Sequence, residues 1–410
     1  MMRNKKKINT ILIYSVMLLF SSAHAIIYDN RYFLGNYYIP HGKTQSRVEL
    51  RSVIDTAQEA FQPHGDDPLS LAEVWGRLDE NTLGKSLTAV GKPNPLPSAW
   101  QGKEILWKSF GKVQMQSLYF ECHQQIYGPL STGVSGGFMT VCGYNSYRFE
   151  RSSLILGPGD PVLLEESLRQ MFDLLQVNAG EVSHKAFSDI DWYLRLGKRF
   201  EYALKFKSIN IGGRFGFLLP SGPTCDQYAA AAIPFGGDGH WGVYGALDAA
   251  FEVKEDMSAG IFIQGIKRLS RTLYKRMPVF NEPQPLGAAF GNVQINPGYT
   301  IVVAPYIMLE NLRKGLGFLF QYTLRVHQKD QWRDQRKDKT VPVNLEPVIA
   351  RSQWGSDYFS LELFYDFGKE RMERNYDPML FFRWDIPYKV LVSERAAKTQ
   401  QLSCGIACLF

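Results

Sequence analysis

The sequence predicts an all-β protein whose strands close into an antiparallel transmembrane β-barrel of about 12 strands, with about 10 or 14 as alternatives. Three observations predict this fold class. Apolar residues recur at every second position over long stretches, the amino terminus resembles an export signal, and short connections alternate with long ones. Two short helices are expected in the long connections.

The clearest alternation lies in the stretch that ends at His327. Apolar residues fill every second position from Tyr299 to Leu309 and again from Leu316 to Val326. A turn at 313–315 would set Leu309 against Phe318, so the two apolar sets share one face of a hairpin.

One such hairpin fits two architectures. A soluble sandwich buries the apolar face against a second sheet, whereas a membrane barrel turns it towards lipid and keeps the polar face inside. A sandwich does not need a lipid-type face on nearly every strand. Since most strands of this chain carry one, the barrel is the better prediction.

The amino terminus predicts export. Basic residues at positions 3–7 precede an apolar run over 8–20, and Ala23-His24-Ala25 matches a cleavage site. The run of about 13 residues is shorter than the roughly 20 that a membrane helix needs. We therefore expect a signal peptide over 1–25, cleaved after Ala25, a periplasmic lead-in over 26–42 and the barrel over 43–410.

The composition argues against a nucleic-acid partner. The formal net charge is +6, of which Arg3 and Lys5–Lys7 in the predicted signal supply four and leave +2 for the remainder. The five cysteines match no metal-ligand spacing. We expect neither a cofactor nor a metal.

Cys122 and Cys142 form the candidate disulfide. They lie almost symmetrically about a turn expected near Thr132, so a hairpin closed there would set them opposite each other. Two unpaired cysteines are the alternative. Cys404 and Cys408, about 13 Å apart on one strand, are too distant to bridge.

The first part of the chain predicts one strand and one hairpin. Apolar residues alternate with charged ones from Ser46 to about Thr56, which predicts the first strand. The hairpin is predicted over 105–126 and 134–149, although apolar and polar residues alternate only imperfectly there.

Each helix is predicted from a start signal. Ser70 and Glu73 form a capping box for a helix that runs to Leu87. Asp160 is a candidate N-cap for a second helix that ends before Gly180. Their apolar stripes must be buried, and the helices could constrict the mouth of the barrel, cap it from outside, or line an entry for an apolar solute.

Strict alternation predicts the later strands. They cover 190–206, 209–217, 241–253, 257–263, 299–310, 316–327, 358–367, 380–390 and 402–410. The turns at 127–133, 207–208, 254–256, 312–315 and 368–377 then fall on the side of the last residue, and the longer connections on the other. Membrane barrels show this division into short turns and long loops.

The final strand carries a resemblance. Its alternate residues are Leu402, Cys404, Ile406, Cys408 and Phe410. An exported chain of alternating strands with such an end resembles the outer-membrane β-barrel proteins of Gram-negative bacteria, porins and channels among them, and more weakly the outer-membrane fatty-acid transporters. The resemblance implies a place in the outer-membrane bilayer and recognition of this strand by the barrel assembly machinery.

Residues that alternate with the apolar, lipid-facing positions of a strand face the inside of the predicted barrel, and a set of charged residues occupies such positions. They are Arg195, Arg199, Arg214, Asp248, Glu252, Glu310, Arg325, Glu362, Asp366, Arg383, Asp385 and Lys389. The turn at 368–377 sets Glu362 opposite Arg383. The set predicts either a water-filled lumen that selects solutes by their size and by its electrostatic field, or a narrow barrel filled by its own ion pairs.

The expected function is an outer-membrane channel or porin-like transporter for small solutes through a charged lumen. The alternatives are a barrel for uptake of hydrophobic substrates, such as lipids or fatty acids, and a structural or surface-contact barrel that transports nothing. The charged loop around Trp332 is read either as a contact for lipopolysaccharide phosphates or as a plain solvated loop.

No catalytic residues are expected. Gly133-Val-Ser-Gly-Gly137 matches G-x-S-x-G, but the motif enters a β-hairpin and not the strand–turn–helix that a nucleophile requires. The histidines show no metal pairing and no serine placed beside a base. We therefore expect the protein not to be an enzyme.

Overall fold

The protein is almost entirely β-sheet. The computed structural model describes residues 46–63, 67–152, 157, 159–202, 204–233, 236–368 and 377–410. The predicted signal peptide, its cleavage site and the lead-in over 26–42 lie outside the described residues.

In chain order the strands are β1 (Arg47–Ala57), β2 (Glu59–Ala60), β3 (Leu69–Ser70), β4 (Leu78–Asp79), β5 (Ile105–Tyr127), β6 (Leu130–Ser152), β7 (Glu181–Phe187), β8 (Ile190–Glu201), β9 (Ser208–Leu219), β10 (Gly242–Lys254), β11 (Met257–Arg268), β12 (Arg271–Met277), β13 (Ala289–Asn296), β14 (Tyr299–Arg313), β15 (Leu316–His327), β16 (Gln331–Asp334), β17 (Trp354–Asp366), β18 (Asp377–Pro387) and β19 (Gln400–Leu409). The helices are α1 (Glu80–Ala89), α2 (Asp160–Leu175) and α3 (Glu346–Arg351), with short 3₁₀ turns at Leu71–Trp75, Ser98–Trp100 and Gln284–Leu286.

Twelve of these strands form a closed antiparallel barrel, which confirms the predicted fold class. Around the ring the order is β1, β5, β6, β8, β9, β10, β11, β14, β15, β17, β18 and β19. The ring closes because β1 pairs with β5 on one side and β19 on the other, so that Arg47 lies opposite both His123 and Leu409. Closure removes the open sheet edges that a bilayer does not tolerate.

Two hairpins have the register that their alternation predicts. The β14–β15 hairpin places Leu309 opposite Phe318, and the β17–β18 hairpin places Glu362 opposite Arg383. In the first of these, Gly315 takes the left-handed conformation at φ 91°. A regular period of two together with a short turn leaves little freedom for another register.

The outward face of the barrel is apolar. Leu50 is 50% exposed and Leu363 is 51% exposed, whereas Glu49, the neighbour of Leu50 on the other face, is 1% exposed. The same exposed face includes Leu118, Leu194, Ile211, Leu247, Ile307, Phe382, Leu402 and Ile406. Such a band suits the hydrocarbon of a bilayer and not water.

The first hairpin turns earlier than predicted, and this rules out the candidate disulfide. The turn lies at Gly128–Pro129, so Cys122 pairs with Val134 and Cys142 pairs with Gln114. Val134 and Cys142 lie eight residues apart on one strand, about 26 Å at the usual rise. Both cysteines are therefore free.

The capping box predicted at Ser70 does not form. Ser70 Oγ accepts the N–H of Gly111 at 3.2 Å and Glu73 accepts the N–H of Ser109 at 3.2 Å, so both side chains bind β5. The segment gives only a 3₁₀ turn, and the helix begins later, at α1. There the Asp79 carboxylate accepts the N–H groups at the helix start.

Two further boundaries differ from the prediction. Asp160 is the first residue of α2, whose N-cap is Gly159. The helix ends at Leu175, before Gly180, and its C-cap Gln176 takes the left-handed conformation. β8 ends at Glu201, short of the predicted residue 206. The sequence did not predict strand β7, the small sheet of β12, β13 and β16, or helix α3.

The long connections all leave the barrel at the end opposite the short turns, which we call the loop end. It carries the three helices and the sheet of β12, β13 and β16. Leu83 and Leu87 of α1 share one hydrophobic cluster with Leu164 and Leu168 of α2. In the described part of the chain, no helix is long and apolar enough to cross a membrane.

Candidate functional site

The barrel lumen contains buried ion pairs. Arg195 donates to Asp248 at 2.7 and 3.0 Å, and Arg214 Nε lies 3.4 Å from the same carboxylate. β8 and β9 set the two arginines directly opposite each other, so Asp248 on β10 is the counter-charge that both share. A Cβ at position 212 would collide with the guanidinium of Arg195, so Gly212 makes room for this pair.

A second cluster surrounds Arg383. Its guanidinium donates to Asp385 at 2.9 Å, Ser360 at 2.8 Å and Gln321 at 3.1 Å. Glu362, directly opposite on β17, lies at 3.7 Å. Because two acids flank one guanidinium, Arg383 can lose one of them and still keep a charged partner.

A third cluster was not predicted. Arg47 and Arg51 both bind Glu49, the latter at 2.6 Å, and His123 Nδ1 lies 2.9 Å from the hydroxyl of Tyr193 nearby. The alternation of the first strand was the signal that could have placed the two arginines and Glu49 inside. Apolar and polar residues alternate irregularly in β5, so the sequence did not predict that His123 faces the lumen.

The structure brings most of the predicted lumen residues together. Those inside the barrel are Arg195, Arg214, Asp248, Arg325, Glu362, Arg383 and Asp385. Arg199, Glu252, Glu310 and Asp366 lie towards the short-turn end, where Arg199 Nη2 is 3.2 Å from Glu252 Oε2. These four residues form the inner rim of the barrel at that end.

Lys389 does not line the lumen, contrary to the parity argument. β18 ends at Pro387, and Lys389 is exposed in the loop beyond it. The Asp357 carboxylate causes this turn, because it accepts backbone N–H groups from Val392 and Ser393, both at 2.8 Å. The loop therefore folds over the rim of the barrel.

The final strand presents its apolar residues to lipid. Leu402 is 45% exposed and Ile406 is 56% exposed on β19, and Cys404 lies between them on the same face. Phe410 follows the strand and donates its N–H to Ser46 at 3.1 Å. Recognition of this strand by assembly machinery stays a prediction.

The polar side chains at the middle of the lumen pack against one another. Arg195 and Asp385 are each 2% exposed, and Thr323 is fully buried. In a water-filled pore, side chains at these positions would be accessible to solvent. Of the two lumens that the sequence allows, the described residues favour the filled one.

A cavity of about 220 Å³ lies at the loop end of the lumen. Strand ends form its floor through Leu218, Ile266 and Trp354, and the connecting loops contribute Trp332 and Ala232. Most of this lining is apolar or aromatic. The cavity therefore suits an apolar solute better than a hydrated ion.

Two cations at this cavity are paired with acids of the protein. Arg268 lies 2.9 Å from Asp189, and Lys275 lies 2.5 Å from Asp238. Each cation keeps its countercharge in contact, so neither presents an uncompensated charge to the cavity.

His327 holds the strand ends in place. Its Nδ1 lies 2.8 Å from the Thr300 hydroxyl, and its Nε2 lies 3.0 Å from Asp330. Both ring nitrogens are therefore satisfied, which fixes the imidazole where it stacks on Trp354, with ring centroids 5.8 Å apart. The stack orients the indole at the cavity floor.

Two indole groups of the lining have an N–H without a hydrogen-bond acceptor among the described residues. They are the Nε1 atoms of Trp332 and Trp354, both screened from solvent. Trp354 as a whole is 2% exposed. A buried donor left unpaired costs about 1–3 kcal/mol.

Burial keeps one thiol and one imidazole of the loops that cover the cavity uncharged. Burial raises the pKa of the Cys225 thiol to about 12. Burial likewise lowers the pKa of His240, whose Nδ1 contacts the carbonyl of Leu269 at 2.8 Å. At neutral pH the thiol is protonated and the imidazole is neutral.

These features define the class of the protein. It is a transmembrane β-barrel of the kind found in Gram-negative outer membranes, with an even number of antiparallel strands, short turns at one end, long loops at the other and an apolar outer band. Its lumen is filled by charged and polar side chains, and a cavity lies at the loop end.

The chain matches no protein-family model and no curated protein. Among solved structures it is 11% identical to an outer membrane channel from Pseudomonas putida F1, covering 92% of this chain and 98% of that one with a TM-score of 0.48. The NanC porin is 8% identical, covers 72% and 93% of the two chains and has a TM-score of 0.33. A Pseudomonas aeruginosa FadL homologue is 8% identical, covers 89% of each chain and has a TM-score of 0.31. Because these likenesses are low, the function is inferred from the barrel's own residues.

Proposed function

We propose that this protein is a gated outer-membrane transporter that takes up small, mainly apolar solutes. The observation that carries the proposal is the apolar cavity at the loop end, set above a lumen whose charges are paired with one another. The solute is captured in the cavity and moves inward when the lumen side chains part.

The packed lumen is the reason to propose a gated transporter and not a permanently open porin. An open pore conducts ions because its charged lining is hydrated. Here the charged side chains contact one another, as Arg195 does Asp248 at 2.7 Å and Arg383 does Asp385 at 2.9 Å. The resting barrel should therefore carry no steady ionic current.

The lumen has a low-cost way to open. Arg383 contacts Asp385 and lies near Glu362, and it also donates to two neutral side chains. A guanidinium with several partners can exchange them without ever becoming unpaired in a buried site, which is the costly state. Such exchange lets side chains part around a solute.

The proposed orientation follows from the connections. In outer-membrane barrels the short turns lie in the periplasm and the long loops outside the cell. The loop end, with its cavity, then faces the medium, and the rim with Arg199 and Glu252 faces the periplasm. The cavity is thus the first site that a solute meets.

Uptake and conductance measured on the same protein test the proposal. Cells expressing the barrel should accumulate radiolabelled toluene faster than cells without it, while the purified protein in a planar bilayer should show no steady ohmic steps. Steady steps would make it an open channel, and silence in both assays would make it a structural barrel.

A cavity-filling variant sharpens this test. Ala232→Phe places a ring in the cavity lining and should abolish the accumulation of toluene. Ala249→Phe, which adds the same ring to the outward face of β10, is the matched control and should leave uptake unchanged. Equal uptake by both variants would place the route elsewhere.

A further inference from the structure

Helices α1 and α2 at the loop end enclose a carboxyl group. Glu80, the first residue of α1, is fully buried. Its oxygens accept hydrogen bonds from the hydroxyl of Ser167 on α2 and from the indole N–H of Trp107 on β5, the latter at 3.0 Å. Both donors are neutral, and Glu80 has no ion pair in the described part of the chain. Two helices and a strand therefore meet on a carboxyl group that lacks a counter-charge.

The charged groups around Glu80 do not compensate it. Asp79 precedes it, and the Asp79 carboxylate already accepts N–H groups at the start of α1. On α2, Glu166 pairs with Arg169 at 2.9 Å on the exposed face of the helix. Other charged residues close in sequence are exposed, namely Lys85, Lys103, Glu104 and Lys108. An ionised Glu80 is thus a buried charge beside another acid, which is unfavourable.

Glu80 changes its charge near neutral pH. Burial raises the pKa of Glu80 from 4.5 to about 7, whereas it raises the pKa of Tyr147 on the neighbouring β6 to about 12. In acid the packed helix pair keeps a proton on Glu80, and above about pH 7 it must either bury a negative charge or open. Because opening exposes the carboxyl group, the equilibrium constant for opening rises about tenfold for each pH unit between 4.5 and 7.

The end of α2 is hydrogen-bonded to one wall of the cavity. Asn178, just after the helix, donates its N–H to the carbonyl of Tyr228 at 2.7 Å and accepts the N–H of Ala230 at 2.9 Å. The Arg276 guanidinium joins the same parts, since Nη2 donates to the last carbonyl of α2 at 2.7 Å and Nε donates to the carbonyl of Gln227 at 2.6 Å. Gln227 and Ala230 both line the cavity. A displacement of α2 therefore moves this wall.

We propose that Glu80 controls a pH-dependent gate: while its carboxyl group is protonated, α1 and α2 hold residues 227–230 against the cavity, and when it ionises, the helices separate and this wall loosens. The inference rests on the proposed function, since it names what regulates entry to the capture site. Access to the cavity is restricted in acid and increases as the pH rises through about 7.

Amide hydrogen exchange on the full-length barrel in detergent, followed by mass spectrometry, tests the gate. The protection factor divides the exchange rate of an unstructured peptide at the same pH by the observed rate, so the ordinary pH dependence of exchange cancels. Between pH 5 and pH 8 the protection factor should fall about fifty- to hundredfold in α1, in α2 and in residues 227–230. Strands β14 and β15 of the barrel wall should show no such fall.

Two variants separate Glu80 from other acids of the helix pair. Glu80→Gln keeps the shape of the protonated carboxyl group but cannot ionise, so its protection factors should be the same at pH 5 and pH 8. Glu166→Gln removes a carboxylate from the exposed face of α2 and is the matched control, which should keep the wild-type pH dependence. Heat-modified gel mobility shows whether each variant forms the barrel, and the wild-type profile is a test that needs no variant.

Each contrary result overturns part of the inference. Constant protection in the wild-type helices, or an equal fall in Glu80→Gln, would refute Glu80 as the controlling group. A fall in the helices without a fall in residues 227–230 would refute the connection to the cavity. The expected exchange pattern without uptake of toluene by cells at either pH would leave the gate standing and refute the transport function. Equal uptake at pH 5 and pH 8 without that pattern would refute the gate alone.

Discussion

Replacing Asp248 with asparagine should destabilise the barrel strongly. Its carboxylate lies 2.7 Å from Arg195 and 3.4 Å from Arg214, which face each other on neighbouring strands. Asparagine leaves the two guanidinium groups close together without this counter-charge. Removing one partner of a buried ion pair costs about 3–5 kcal/mol.

We expect the lower part of that range, about 3 kcal/mol. Arg195 keeps a hydrogen bond to Asn210 at 3.3 Å. Arg214 keeps its place over the ring of Tyr193, with Cζ 5.2 Å from the centroid. These contacts offset part of the loss, but neither supplies a negative charge.

Glu362→Gln is the matched control. It also replaces a buried lumen acid by its amide, but Arg383 keeps Asp385 at 2.9 Å, whereas Glu362 lies at 3.7 Å. The loss should be about 1 kcal/mol or less. The difference between the two variants measures what a shared, buried counter-charge contributes.

Urea unfolding in lipid vesicles, followed by tryptophan fluorescence, gives both free energies. Reversal potentials in a salt gradient test the same variants for ion selectivity. If Asp248→Asn unfolds at the wild-type midpoint and instead shifts selectivity towards anions, the lumen charges are hydrated and screened. The filled lumen, and the gating inferred from it, would then be wrong.

Three further predictions concern other parts of the molecule. Burial raises the pKa of Glu80 on α1 from 4.5 to about 7, so the folded protein holds a proton that the unfolded chain releases. The stability that protonated Glu80 contributes is present below pH 4.5 and is lost as the pH rises through about 7. The free energy of unfolding of the helices at the loop end should therefore fall by about 3 kcal/mol over this range. Glu80→Gln should abolish this pH dependence. Leu50→Arg on the lipid face should lower the free energy of unfolding by about 2–4 kcal/mol if the site lies near the bilayer midplane, and no change in vesicles would contradict a lipid-facing Leu50. Cys122 and Cys142 should both react with a maleimide in urea without reductant, and a mass two hydrogens lower, with no reaction, would show the disulfide that the register excludes.

The sequence predicts the fold best where alternation is strict and the turn is short. Leu309 pairs with Phe318 as expected, because a shift of one residue would turn every apolar side chain inward. The β5–β6 hairpin shows the converse. Glycines at 133, 136 and 137 interrupt its pattern, so nothing in the local sequence favoured a turn near Thr132 over the actual one at Gly128.

The site is less predictable, because its contacts join residues far apart in sequence. Parity places Arg195 and Asp248 inside, but their contact depends on three adjacent strands and a glycine that leaves room for the guanidinium. The cavity is harder still. Its lining combines Trp75, the loop around Ala232 and Trp354, and no periodicity relates these segments.

The pairing of the lumen charges bears on what the barrel admits. An ion passing Asp248 or Arg383 must compete with a partner already held at 2.7–2.9 Å, and it must give up its own water. An uncharged solute would meet neither requirement and would need only the side chains to part. A lumen that is rich in charge can therefore exclude ions while admitting neutral molecules, provided that each charge stays with its partner.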